Sequence, residues 1–95
     1  MSLEHKHALI TGSSRGIGRG IALKLAANRV KVAVHYYQNE AAANDTLAEI
    51  RKLGSDGFVV QGDVSRPAEI EALFRKVQSE FGKLDIFIKI GRAHV

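Results

Sequence analysis

The sequence predicts an α/β fold, the N-terminal part of a doubly wound parallel sheet. Two observations support this prediction. Short runs rich in β-branched and aromatic residues alternate with longer segments whose apolar residues recur every three or four positions. A glycine-rich turn joins the first such run to the first helical segment. Alternating strands and helices are typical of right-handed βαβ units with parallel strands, so four strands and three helices are expected in the order 3-2-1-4.

The first predicted strand and helix flank the glycine-rich turn. His5–Thr11 is apolar at its centre, which indicates a strand that is buried on both faces. Residues 16–28 follow a helical pattern in which one face repeats every turn. That face is predicted to carry Ile17, Ile21 and Leu25.

The second predicted strand and helix have clear limits. Lys31–Tyr37 is rich in β-branched and aromatic residues, which favour a strand. Residues 40–53 form a helical segment with small and apolar residues along one side, and Gly54 is placed to end it. The residues predicted for that side are Ala43, Leu47 and Ile50.

The last predicted elements are a strand, a helix and a strand. Gly57–Gln61 is the third strand, and Leu84–Ile88 is the fourth. Between them Ser65 is the expected N-cap of a helix that tolerates Pro67 in its first turn and stops at Gly82. The helix is predicted to bury the stripe Ile70, Leu73, Phe74, Val77 and Phe81.

The turn Thr11–Gly18 has the character of a phosphate-binding corner. A helix start offers unpaired N–H groups and the positive end of the helix dipole, and glycines let a diphosphate approach the backbone. The glycines at 12, 16 and 18 are spaced G-x-x-x-G-x-G. Because no Lys-Ser or Lys-Thr pair follows a glycine, a nucleoside-triphosphate P-loop is not expected. The alternative is a purely structural turn, which needs fewer glycines.

Three segments resemble the short-chain dehydrogenases/reductases. Thr11–Gly18 is similar to the T-G-x-x-x-G-x-G cofactor motif of that family. Gly62–Ser65 resembles its Asp-Val segment after the third strand, and Phe81–Ile88 resembles its run into the fourth. The resemblance implies a Rossmann domain of an NAD(P)H-dependent oxidoreductase. The most similar members are of the 3-oxoacyl-carrier-protein reductase-like or enoyl-reductase-like kind.

The turn and the resemblance together predict the cofactor contacts. Ser13 and Ser14 either bind the diphosphate or ribose or merely cap the turn. One of the two tyrosines that end the second strand is expected to pack at the strand edge, because strand residues alternate faces. The resemblance makes Asp63 the acceptor for the adenine amino group. The predicted contact residues are Gly12, Ser13, Ser14, Arg15, Gly16, Ile17, Gly18, Tyr36, Tyr37, Asp63 and Val64.

The choice of cofactor depends on Arg15. NAD-preferring sites place an acid about 20 residues beyond the glycines to hold the ribose hydroxyls. Residues 35–38 occupy that place and contain no acid, and Glu40 is more plausible at a helix N-terminus. A guanidinium in the turn can pair with a 2′-phosphate. NADP (NADPH) is therefore favoured and NAD is possible, with a solvated Arg15 as the alternative reading.

No catalytic residue is identified in the chain. The family reduces carbonyls with a Ser and a Tyr-x-x-x-Lys pair, and the residues four beyond Tyr36 and Tyr37 are Glu40 and Ala41. Hydride transfer by this chain alone is therefore not expected. No metal site is expected either, because His5 and His7 have no evident third ligand. His35 has no partner that the sequence identifies.

The resemblance ends near residue 88. Residues 1–88 are interpreted as a partial NAD(P)-binding Rossmann domain, and residues 89–95 as a non-native tail, since the family has Asn-Asn-Ala-Gly where this chain has Lys89–Arg92. We expect the full-length protein to be a homo-oligomer that acts on a small carbonyl or acyl substrate. If the C-terminus is genuine, the alternative is a non-catalytic nucleotide-binding module.

Composition excludes several other classes. The net charge of +4 comes from scattered basic residues without a basic stripe, so no nucleic-acid partner is expected. No apolar run is long enough to span a membrane, and the N-terminus lacks the pattern of a secretory signal. The absence of cysteine fits the cytoplasm, which is the expected location.

Overall fold

The computed structural model describes residues 3–90, in which four strands alternate with three helices. All neighbouring strands are parallel, and their order is β3-β2-β1-β4. The elements are β1 His7–Ile10, α1 Gly16–Ala27, β2 Lys31–Tyr36, α2 Glu40–Lys52, β3 Gly57–Gln61, α3 Pro67–Phe81 and β4 Ile86–Ile88. The predicted fold class and strand order are confirmed. The predicted tail at 89–95 falls mostly on residues 91–95, which lie outside the described part.

Each face of the sheet packs against its own helices. Successive strand residues point to opposite faces, so the two cores use alternate positions of the same strands. On one face the strand residues pack against α1 and α2, in a cluster that comprises Ala8, Ile10, Ala22, Ala26, Val30, Val32, Val34, Ala43 and Ile50. On the other face they pack against α3, in a cluster that comprises Leu9, Ala33, Val60, Leu73 and Val77. The apolar centres of β1 and β2 are therefore buried on both sides.

The buried face of α1 differs in part from the predicted one, since Ile21 and Leu25 pack against the core but Ile17 does not. Ile17 is 76% exposed, and the buried residues of the helix are Gly18, Ala22 and Ala26. The reason is the close approach of the helix to the preceding turn: a Cβ on Gly18 would lie 2.3 Å from the carbonyl oxygen of Gly12. Only a small residue fits where α1 contacts the turn, so the larger side chains of the helix lie to either side of this contact.

The predicted N-cap of α3 was also wrong. Arg66 is the N-cap residue, and Pro67 begins the helix as expected. Ser65 belongs to a turn before it, where its N–H and hydroxyl donate to Oδ1 of Asp63 at 2.9 and 2.6 Å. Gly82 ends the helix with a φ of 77°, a left-handed conformation that glycine adopts without strain.

Strand β4 lies at the edge of the sheet. Among the described residues β4 pairs only with β1, in the register Ala8↔Ile86, Leu9↔Phe87 and Ile10↔Ile88. The Phe87 side chain is 46% exposed, so this part of the described structure presents apolar surface. Within residues 3–90, no helix combines the length and apolarity that crossing a bilayer requires.

Candidate functional site

The carboxyl ends of β1 and β4 define the candidate site. These two strands are neighbours in the sheet, yet α1 follows β1 on one face and α3 precedes β4 on the other. Connections that diverge in this way open a crevice beyond the strand ends, where doubly wound sheets bind ligands. A small cleft of about 110 Å³ lies there, lined by Thr11, Val64, Ile70, Leu73, Phe74, Phe87 and Lys89. The structure thus brings Val64 beside the start of the glycine-rich turn.

The glycine-rich turn leads directly into the N-terminus of α1. Gly12 and Gly16 have φ values of 67° and 65°, which non-glycine residues rarely adopt. Arg15 occupies the N-cap position in an extended conformation and makes no capping bond with its side chain. The first N–H groups of a helix have no partners inside it, so those of α1 face the surface of the turn. A Cβ on Gly16 would meet no atom within 4 Å, which leaves this surface open.

Ser13 and Ser14 are held by different groups. Ser13 is buried, its Oγ accepts a hydrogen bond from His35 N at 2.9 Å, and its N–H donates to the His35 carbonyl at 3.1 Å. These bonds favour the turn-stabilising alternative for Ser13. The carbonyl of Ser14 accepts from Thr46 Oγ1 at 2.8 Å, a contact that leaves the Ser14 hydroxyl for other partners.

His35 is the site residue that the sequence did not reveal. Its imidazole is buried, with Nδ1 2.9 Å from Gly12 N and Nε2 2.8 Å from the Gly62 carbonyl oxygen. The Gly12 N–H donates to Nδ1, so the ring proton is on Nε2, which donates to Gly62. Burial lowers the pKa of His35, although the hydrogen bond to Gly62 raises it in part. The neutral ring therefore joins the glycine-rich turn to the segment that follows β3.

Arg15, Tyr36 and Tyr37 differ in their exposure and in their partners. Arg15 is exposed, and no ion pair or hydrogen bond engages its side chain within residues 3–90. The pKa of Tyr36 is raised by burial and by the nearby Glu40 carboxylate, which accepts a hydrogen bond from the phenol. Tyr36 packs against the core of β2, whereas Tyr37 is 43% exposed. Tyr36 is thus the more buried of the two tyrosines, and their roles at the cofactor stay a prediction.

Asp63 stands at the start of the segment after β3. Its Oδ1 accepts from Ser65, and its Oδ2 lies 3.8 Å from Arg66 Nε. Its N–H donates to the Glu69 carboxylate at 2.8 Å, which fixes the backbone against the first turn of α3. Val64 packs against the α3 side of the core. Both residues therefore lie at the same sheet edge as the glycine-rich turn.

Comparison of the sequence with known proteins gives consistent matches. The profile of the family described as short chain dehydrogenase matches residues 6–91. Tetrahydroxynaphthalene reductase PfmaG of Pestalotiopsis fici is 47% identical over 83 residues, which are 87% of this chain and 30% of that protein. The 3-oxoacyl-(acyl-carrier-protein) reductase FabG of Staphylococcus aureus is 43% identical over 83 residues, 87% of this chain and 34% of that protein. The chain spans about a third of the length of these curated relatives.

Solved structures agree with the same assignment. A hydroxysteroid dehydrogenase from Escherichia coli superposes with a TM-score of 0.86 at 36% identity, over 93% of this chain and 37% of that one. A dehydrogenase from Burkholderia cenocepacia with bound NADP has a TM-score of 0.89 and 35% sequence identity. The match covers 93% of this chain and 34% of that one. The NADH-dependent reductase A1-R′ complexed with NAD has a TM-score of 0.87 and 31% sequence identity. The match covers 92% of this chain and 36% of that one.

Proposed function

Because the chain belongs to the short-chain dehydrogenase family, we propose that it is the cofactor-binding portion of an NAD(P)H-dependent oxidoreductase. In the complete protein, hydride would pass between NADP and a carbonyl or alcohol substrate. The observation that supports this proposal most directly is the turn from β1 into α1. Its glycines bring the helix against the strand end, and the N-cap residue Arg15 makes no side-chain bond to the first N–H groups of α1.

The residues of this turn fit a dinucleotide diphosphate. Gly18 lets α1 approach Gly12, and the open space over Gly16 lets a phosphate reach the helix N-terminus. The Ser14 hydroxyl is not used in the contact with Thr46 and lies on the same turn. The exposed Ile17 offers apolar surface beside it. We assign the adenine end to Asp63 and Val64, to Tyr36 at the end of β2, and to Tyr37, which follows it.

Arg15 favours NADP over NAD. Its exposed guanidinium has no protein partner within residues 3–90, so its charge is available to a 2′-phosphate. Glu40, the first acid in the sequence after β2, is the first residue of α2, where its charge suits the helix dipole. Similar structures contain either cofactor, one with NADP and one with NAD, so NAD is possible too.

The chemical step is assigned to the part of a longer protein that this chain does not span. Family members use a Ser and a Tyr-x-x-x-Lys pair, and neither tyrosine here has a Lys four residues later. The relatives are named for the reduction of 3-oxoacyl and tetrahydroxynaphthalene groups. A small carbonyl or acyl substrate, a homo-oligomeric assembly and a cytoplasmic location therefore stay predictions. The alternative of a non-catalytic nucleotide-binding module is not supported, since these relatives are reductases.

Titration of the chain with NADPH and NADH tests the proposal. We expect Arg15→Ala to weaken NADPH binding roughly tenfold or more, since charged hydrogen bonds contribute about 1.5–3 kcal/mol, and to leave NADH binding nearly unchanged. Arg75→Ala is the matched control, because Arg75 is an exposed arginine on α3 that pairs only loosely with Glu71, at 3.8 Å. A folded chain that binds neither cofactor at millimolar concentration would contradict the proposal.

A further inference from the structure

His35 contacts two segments of the candidate site that are far apart in the sequence. Gly12 precedes it by 23 positions and Gly62 follows it by 27, and each is bound by one nitrogen of the imidazole. The backbone of the same residue makes two more bonds to Ser13. One buried side chain on β2 thus fixes both the glycine-rich turn and the beginning of the loop after β3.

The two segments joined by His35 correspond to the two ends of a dinucleotide. The turn at 12–18 is assigned to the diphosphate, and residues 63–64 are assigned to the adenine. The backbone of Gly62 is also held by the Tyr36 carbonyl, which accepts its N–H at 3.1 Å. The two ends of the site are therefore joined through β2, and the His35 ring is the side chain that bonds to both.

We propose that His35 is a positioning residue that holds the phosphate corner and the adenine-side loop at the spacing required to bind one dinucleotide. The inference rests on the proposed function, because it assigns a task within that same site. The ring acts through Gly12 and Gly62 and does not touch the cofactor. It does so in the neutral form, in which one nitrogen accepts and the other donates.

A merely structural histidine is the alternative. Such a residue would contribute to stability without affecting the relation between the two ends of the site. The contacts of the imidazole favour positioning, since both of its polar atoms bind backbone groups of predicted cofactor-binding segments. Its burial also removes water as a substitute partner, so a lost contact is not replaced from solvent.

Two substitutions separate the two contacts. His35→Asn places an amide oxygen near the position of Nδ1, which keeps the acceptor for Gly12, but it is too short to reach Gly62. His35→Gln places an amide nitrogen near Nε2, which keeps the donor to Gly62 but loses the acceptor for Gly12. Val60→Ala, in the core of β3, is the matched control because it lowers stability without removing either hydrogen bond.

Calorimetric titration of the folded chain with NADPH gives the first readout. We expect both His35 variants to bind NADPH at least about tenfold more weakly than the unsubstituted chain, because the two ends of the site are then no longer preorganised at the spacing of one dinucleotide. Val60→Ala should bind it normally. Unchanged affinity in both His35 variants, or equal weakening in Val60→Ala, would overturn the inference. NADPH binding by the unsubstituted chain tests the proposed function separately.

Nuclear magnetic resonance gives a second readout that needs no variant. Adenosine contains the adenine end of the cofactor and no phosphate. If His35 couples the two segments, adenosine should shift the amide resonance of Gly12 together with those of Asp63 and Val64. A shift confined to residues 63–64 would show that the two ends are independent and would overturn the inference, even where the variants fail to fold.

Discussion

The backbone N–H of Gly12 donates a hydrogen bond to Nδ1 of His35 over 2.9 Å, between the glycine-rich turn and the neighbouring strand. A protonated imidazole has no lone pair for this bond, so the conformation of the turn is linked to the charge of a buried side chain.

Stability should therefore depend on pH near neutrality. The pKa of His35 is lowered below its ordinary value of 6.5, first because burial disfavours the charged ring. The unfolded chain then binds more protons than the folded chain between these two pKa values. The contribution of His35 is complete above pH 6.5 and declines as the pH falls from 6.5 toward the folded pKa.

Urea unfolding between pH 8 and pH 5 measures this effect. We expect the free energy of unfolding of the unsubstituted chain to fall on acidification, and His35→Asn to show a flatter profile in the same range. The carboxyls of Asp56 and Asp85 have pKa values lowered from 3.8, so their contributions are lost only at more acid pH. Equal slopes for the two proteins would contradict the assignment of this range to His35.

Gly18→Ala should destabilise the fold. The added Cβ would lie 2.3 Å from the Gly12 carbonyl oxygen and 3.0 Å from Ser13 Cα, and both are backbone atoms that cannot rotate away. Overpacking of this kind costs about 1–3 kcal/mol or more. Gly20→Ala is the control, because its Cβ meets nothing within 4 Å and alanine favours a helix by up to about 1 kcal/mol. The urea midpoints should move in opposite directions, and parallel shifts would refute the close contact.

Thr46→Val should loosen the turn from the side of α2. The Thr46 hydroxyl donates to the Ser14 carbonyl at 2.8 Å and accepts from Arg19 Nη1 at 2.8 Å. Valine has the same shape and leaves both groups without this partner, a change that costs about 1–3 kcal/mol. Thr46→Ser keeps the hydroxyl and should restore most of the stability. Equal lowering of the unfolding temperature by serine and valine would contradict this prediction, because the methyl group would then contribute as much as the hydroxyl.

Asp85→Ala should weaken the attachment of β4. Asp85 Oδ2 accepts from His7 N at 2.9 Å, and Asp85 N donates to the His7 carbonyl at 2.9 Å, just before the two strands pair. The backbone bond to His7 is also the first cause of the lowered pKa of Asp85. Amide hydrogen exchange at 86–88 should become faster in Asp85→Ala than in the exposed control Glu71→Ala. Unchanged exchange there would show that strand pairing alone holds β4.

Local patterns predicted most of the architecture. The limits of β3 and the buried side of α2 follow from periodicity and from the flanking glycines, which act over a few residues. The buried side of α1 could not be predicted from periodicity, because this helix is apolar on most of its surface. The contact of Gly18 with Gly12 decides which side faces the core. The partners of His35 lie 23 and 27 positions away, and no local pattern records such contacts.

The position of β1 in the sheet has a consequence for the order of folding. Within residues 3–90, β1 is the first strand, but its second neighbour, β4, is the last. Thr11 shows the same separation, because its N–H donates to the Ile88 carbonyl and its hydroxyl accepts from Ile90 N, 79 positions away. During synthesis, then, the segment made first stays half-bonded until residues near 90 have left the ribosome, and the corner that would hold the cofactor is among the last parts to become rigid.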